Sequence, residues 1–172
     1  MSLARAWGVT LLLLVACGDP VRDDRIEALG PERTGVARGP LHRAGQPCLA
    51  CHDGRAAGTR EFSVAGTVFL AEGSERPAPG VRVELVDSAG TRFESATNCA
   101  GNFFVAPADF APRYPLWVAL QAGDYRIEMD SPVQRDGSCA SCHAREPGKA
   151  SAGGVYLFFE ESEASKDGGA CP

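Results

Sequence analysis

Between Phe62 and Met129 the chain is a succession of short runs in which apolar and polar residues alternate, separated by Gly- and Pro-containing turns. Period-two alternation sends successive side chains to opposite faces, so each run can bury one face and leave the other in water. Phe62–Leu70 alternates in this way, and a loop ending Arg76-Pro77-Ala78-Pro79-Gly80 leads into Val81–Val86. There Val81, Val83 and Leu85 share one face while Arg82 and Glu84 take the other. Asp87-Ser88-Ala89-Gly90 reads as a tight hairpin turn, because glycine tolerates positive φ. Further strands are expected at Thr91–Ala96, Asn102–Ala106, Leu116–Gln121 and Tyr125–Met129, the last two joined at Ala122-Gly123-Asp124. The apolar run Gly153–Phe159 is one more strand, expected to pair with a sheet edge. Regular short strands with such turns predict an all-β chain: a β-sandwich of about seven strands with irregular flanking segments.

The flanks carry the chemistry. Cys48-Leu49-Ala50-Cys51-His52 recurs as Cys139-Ala140-Ser141-Cys142-His143. Two cysteines spaced by two residues with a histidine directly after resemble the attachment site of a c-type haem. Each thiol adds to one porphyrin vinyl group, and the adjacent histidine is held beneath the iron as its ligand. On this reading Cys48, Cys51, Cys139 and Cys142 are the thioether donors of two covalent haems, with His52 and His143 on the irons. Two other readings stay open: zinc held tetrahedrally by the same residues or a set of disulfides, and cysteines with no shared role. Six strands between Phe62 and Met129 return the chain to the pole where it began, so the two motifs are expected to lie close together. For a second axial ligand the sequence offers His42 and Met129, His42 reaching the second haem more easily; His42 reads equally well as an exposed loop histidine, and Met129 reads better as a core or rim residue. Phe110, Tyr114, Trp117 and the Tyr156–Phe159 run could wall a porphyrin, although each also suits a sandwich core.

The compartment is read from the N-terminus. Arg5 precedes the apolar run Val9–Val15, which is too short to span a bilayer as a mature helix. Leu14-Val15-Ala16-Cys17 resembles the lipobox of bacterial lipoproteins, which implies cleavage before Cys17 and a diacylglyceryl group on its thiol. A lipid-anchored envelope protein, periplasmic or on the outer membrane, is therefore expected, with the membrane as one partner and a redox protein as another. Besides the lipid-bearing Cys17, six cysteines remain after cleavage, an even set for an oxidising compartment. Cys99 in a turn and Cys171 in the tail are expected to form a disulfide with each other. The formal net charge of −5 gives no basic footprint for nucleic acid. No Gly-x-Ser-x-Gly elbow or phosphate-binding loop is present, so no enzyme is expected. The chain divides into a signal peptide (1–16), a flexible tether (17–45), the first motif segment (46–61), the sandwich (62–130), the second motif segment with the closing strand (131–160) and an acidic tail (161–172).

Three further signatures lie within the alternating region: Val64-x-Gly66-Thr67-Val68, Gly80-Val81-x-Val83-x-Leu85 and Thr97-x-x-x-Gly101-x-Phe103. Together they resemble the carboxypeptidase regulatory-like domain, a transthyretin-like Greek-key sandwich related to repeat domains of bacterial adhesins. The resemblance covers about Phe62 to Met129 and implies an accessory module without a catalytic site. The adhesin relatives carry a Lys–Asn isopeptide cross-link. No lysine lies between Phe62 and Ser138, so that bond cannot form here.

Overall fold

The computed structural model describes residues 19–32, 34–55, 60–145 and 151–158. Of the described residues, 19–30 form a unit of their own. It contains helix α1 (Pro20–Ala28), which has no buried residue. The sequence promised only a flexible tether here, for want of apolar surface. Its ends supply what the core does not: the Asp19 side chain accepts from the Arg22 amide at 3.1 Å, and Pro20 opens the first turn. Among the described residues no helix is long and apolar enough to cross a membrane.

From Pro31 onward the chain is mostly strands. After a four-residue helix α2 (Leu49–His52) come β1 (Val64–Thr67), β2 (Phe69–Ala71), β3 (Arg82–Val86), β4 (Arg92–Ala96), β5 (Asn102–Val105), β6 (Trp117–Ala122), β7 (Tyr125–Glu128) and β8 (Tyr156–Phe158). A four-stranded antiparallel sheet has the order β4-β3-β6-β7. The chain leaves that sheet after β4, makes β5 against β1, and returns as β6 beside β3. The closing apolar run forms β8, parallel to β2.

The β3–β4 hairpin turns where the sequence placed it. Asp87 Oδ1 accepts from the amides of Ala89 and Thr91 at 2.9 and 2.8 Å. Burial opposes ionisation of Asp87, but the amides of Arg113, Thr91 and Ala89 outweigh it and hold the carboxyl below its ordinary range.

One strand expected as continuous is split. At Val68 the amide donates to Gly101 O (2.9 Å) and the carbonyl accepts from Ala78 (3.0 Å), so the chain changes partners between β1 and β2. The close approach depends on Gly101, at φ 73°; a Cβ there would stand 2.3 Å from Val68 O. Among the described residues the split makes eight strands where about seven were expected.

Val64, Val68 and Leu70 join Val83, Leu85, Phe103, Leu116, Leu120, Leu157 and Phe158 in one buried cluster drawn from every sheet. Outside it, Arg82, Glu84, Glu94, Arg126 and Glu128 pair with one another on the wet face of the four-stranded sheet. That is the outcome the alternation of β3 demands.

Candidate functional site

The two Cys-x-x-Cys-His segments fold alike without sharing a secondary-structure type. In the first, Cys48 caps α2 and its carbonyl accepts from the amides of Cys51 (3.2 Å) and His52 (3.0 Å). In the second, a 3-10 turn (Cys139–Ser141) does the same, with Cys139 O accepting from Cys142 (3.2 Å) and His143 (2.8 Å). A single helical turn in each copy therefore ties the histidine amide back to the carbonyl of the first cysteine.

The histidines are oriented alike as well. His52 Nδ1 lies 2.7 Å from the carbonyl of Arg60, eight residues on. His143 Nδ1 lies 3.0 Å from the carbonyl of Gly153, ten residues on. A carbonyl oxygen can only accept, so Nδ1 is the donating nitrogen in both rings and Nε2 is the one left for another partner. The returning chain also bonds to each turn: Phe62 N donates to His52 O and Ala152 N to Cys142 O, both at 2.8 Å. This is the arrangement in which metal-bound histidines are commonly held, one nitrogen fixed by the backbone and the other presented.

The four motif cysteines are all unpaired thiols. Cys48 and Cys139 are the sheltered ones. Burial pushes the Cys48 thiol up to about 11, with Cys51 adding to the effect. Burial pushes Cys139 up to about 12, with the charge of Cys48 the next contributor. Cys139 rests on Gly66: a Cβ on that glycine would lie 2.8 Å from both Cβ and Sγ of Cys139. Cys142 is exposed. Among the described residues no three His, Cys, Asp or Glu side chains gather as a set able to hold a metal ion.

Both segments dock on β1, by different means. The second is woven in through its backbone, Ala65 pairing with Ser138 and donating to Gly137 O at 2.9 Å. The first is attached mainly by side chains. Gly45 N donates to Thr67 Oγ1 (2.8 Å), Thr67 Oγ1 donates to Asn102 Oδ1 (2.7 Å), and Asn102 Nδ2 donates to the carbonyls of His42 (3.0 Å) and Pro40 (3.2 Å). Asn98 Nδ2 adds a bond to Pro40 O at 2.7 Å. The expected tether thus ends in an anchored stretch, because Asn98 and Asn102 offer amide donors that the sheet does not consume.

His42 lies against the first motif, its ring centroid 5.9 Å from that of His52. Burial lowers its pKa, as do the charges of His52, Arg43 and Arg38, while Glu32 works the other way. Met129 follows β7 and its amide donates to Val118 O at 3.1 Å, in the four-stranded sheet and not on the strands that carry the motifs. Of the aromatic residues considered as walls, Phe110 and Phe158 belong to the core, Tyr114 packs against it and Trp117 is exposed. Two others flank the first motif instead. Phe62 stacks on the His52 ring at 4.6 Å, and Phe104 stacks on Phe62 at 4.9 Å. Beside the second motif a cleft of about 190 Å³ is lined by Phe69, Val155, Tyr156 and Arg145, whose guanidinium sits 5.3 Å from the Phe69 ring centre.

Sequence reasoning did not find Phe62, Phe104, Asn102 or the two carbonyls. A carbonyl has no side-chain signature, and the phenylalanines read equally well as ordinary strand residues. Cys99 is disulfide-bonded. Its expected partner Cys171, like the lipidation candidate Cys17, lies outside the described residues. No protein-family model, curated protein or solved structure matches the chain.

Proposed function

We propose that the protein is a lipid-anchored, cell-envelope c-type dihaem electron-transfer protein built on a transthyretin-like β-sandwich of the carboxypeptidase regulatory-like kind. The observation that carries the haem reading is the twofold repetition of one local arrangement. In both copies the turn closes on the first cysteine's carbonyl, the thiols are unpaired, and a backbone carbonyl fixes Nδ1 so that Nε2 is the free donor.

The donor set fits the group. Cys48 and Cys51, and likewise Cys139 and Cys142, would supply the two thioethers, each thiol adding its sulfur and hydrogen across a vinyl double bond. His52 and His143 would supply imidazole to iron. Phe62 and Phe104 near the first copy, and Phe69, Val155 and Tyr156 near the second, offer apolar surface. Bound haem supplies a one-electron Fe(III)/Fe(II) couple. The chain's own contribution is to fix the histidine tautomer, keep both sites near one another, and hold them on a rigid sheet. The strand order β4-β3-β6-β7, with β5 crossing to β1, supports the Greek-key reading. Lipid attachment at Cys17 would keep the carrier at a membrane surface facing a redox partner protein. The chain is on this reading a carrier and not an enzyme.

The experiment is expression of the full chain in a host with haem-ligation machinery. Soret and α bands that survive acid-acetone extraction are expected. The Cys48→Ser/Cys51→Ser and Cys139→Ser/Cys142→Ser pairs should each remove one haem by mass, and Cys17→Ser should abolish partition into detergent. A colourless protein overturns the reading in favour of a redox-silent lipoprotein whose cysteines form disulfides or hold a metal.

A further inference from the structure

We propose that His42 is the second iron ligand of the first haem, paired with His52, and that Asn102 is the positioning residue that holds it there. This rests on the haem reading above and assigns a residue that the Cys-x-x-Cys-His motif does not contain.

The first support is spacing. A metal ion stands about 2 Å from each imidazole nitrogen that binds it, so two rings that share one ion have centroids no more than about 6 Å apart. The His42 and His52 centroids are 5.9 Å apart with the ring planes at 47°. Simple aromatic contact also covers this distance, so spacing does not decide the matter alone.

The second support is an orphan atom. His42 Nδ1 is buried with no hydrogen-bond partner, and Glu32 Oε1, at 3.9 Å, is too far to accept one. Buried polar atoms are nearly always bonded, and an exception marks a site where a bonding partner or an ion belongs. Coordination at the other ring nitrogen would give Nδ1 the proton and turn it toward Glu32, the carboxylate–histidine relation common at metal sites. His52 already has its Nδ1 engaged, by Arg60 O.

The third support is how the segment is held. Asn102 is 5% exposed, and its amide group spends both donor bonds on the carbonyls of Pro40 and His42. Its oxygen is fixed by Thr67, which also accepts from Gly45 N. The residue after His42, Arg43, stands at φ 51°, a region that side-chain-bearing residues seldom occupy. A buried amide anchoring the histidine's own carbonyl next to an unfavourable backbone angle specifies where that ring goes. A loop that merely joins two segments has no need of it.

The test uses full-length, haem-loaded protein in the Cys139→Ser/Cys142→Ser background, so that only the first haem is read. With His42 intact the optical and electron paramagnetic resonance spectra should be those of six-coordinate, low-spin iron with two imidazoles. His42→Ala should convert most of it to a high-spin form, and added imidazole should restore the low-spin spectrum. His42→Met, which keeps a donor of another kind, should give a distinct imidazole–thioether spectrum. Asn102→Ala should give a mixture of low- and high-spin forms. If haem is attached and the spin state is unchanged in both His42 variants, the assignment is overturned and the haem reading stands. If no haem is attached even with all four cysteines present, the functional reading falls and this inference falls with it.

Discussion

The two copies of the motif have the same internal hydrogen bonds and opposite ways of joining the fold. The second is part of the sheet: Ser138 pairs with Ala65 and Cys139 packs onto Gly66 at the edge of the core. The first is pinned by a relay of side chains running from Gly45 through Thr67 and Asn102 to His42. The difference teaches that the local turn is a property of five residues, while the surroundings of the ligand are set by whichever surface receives that turn. Backbone pairing seats the first thiol of the second copy directly on Gly66. Side-chain pinning gives the first copy a neighbouring histidine and an aromatic stack.

The largest break in this comparison should come from Gly66→Val. Its Cβ would stand 2.8 Å from Cys139 Cβ and Sγ and 2.9 Å from the Phe103 ring. Overpacking of this kind costs about 1–3 kcal/mol, so the denaturant midpoint should fall. Haem occupancy by mass should drop at Cys139 and Cys142 while Cys48 and Cys51 stay loaded. Equal loss at both copies would show that their seats are not independent.

Asn102→Ala should come next, and on the other side. It leaves the carbonyls of Pro40 and His42 without this donor, a loss of about 1–2 kcal/mol. Hydrogen exchange should accelerate across residues 40–52 and stay slow at Cys139–His143. Unchanged exchange in the first segment would mean that the Asn98 bond to Pro40 alone is sufficient.

The smallest effect is read from pH in haem-free protein. Raised thiol pKa values mean that the folded state keeps Cys139 and Cys48 protonated where an unfolded chain, with thiols near 9.0, has begun to ionise them. Their contribution to stability is present below pH 9 and is lost as pH rises toward about 11 for Cys48 and about 12 for Cys139. At pH 8.5 iodoacetamide should label Cys139 and Cys48 more slowly than the exposed Cys142. Mass mapping of the alkylated peptides gives the order. Fast labelling of Cys139 would show that its seat on Gly66 opens readily.

Much of this was legible in the residues. Val81, Val83 and Leu85 against Arg82 and Glu84 defined both faces of β3, and Asp87–Gly90 fixed the hairpin. The break at Val68 was hidden because it depends on Gly101 and Ala78 arriving from elsewhere in the chain to take its amide and carbonyl. Helix α1 was missed because its support is a cap and not a buried face.

For the candidate site the division is sharper. The two cysteines and the histidine of each candidate site, and the turn they form, can be read from the residues alone, since Cys-x-x-Cys-His closes through bonds between residues three and four apart. Only the tertiary structure decided what stands around each donor: Arg60 O and Gly153 O on the histidines, Phe62 over one ring, Gly66 under one thiol, and His42 beside His52. The physical reason is range. A helical turn is satisfied by its neighbours in sequence, whereas a buried amide such as Asn102 spends its bonds on whatever segment the fold brings within 3 Å.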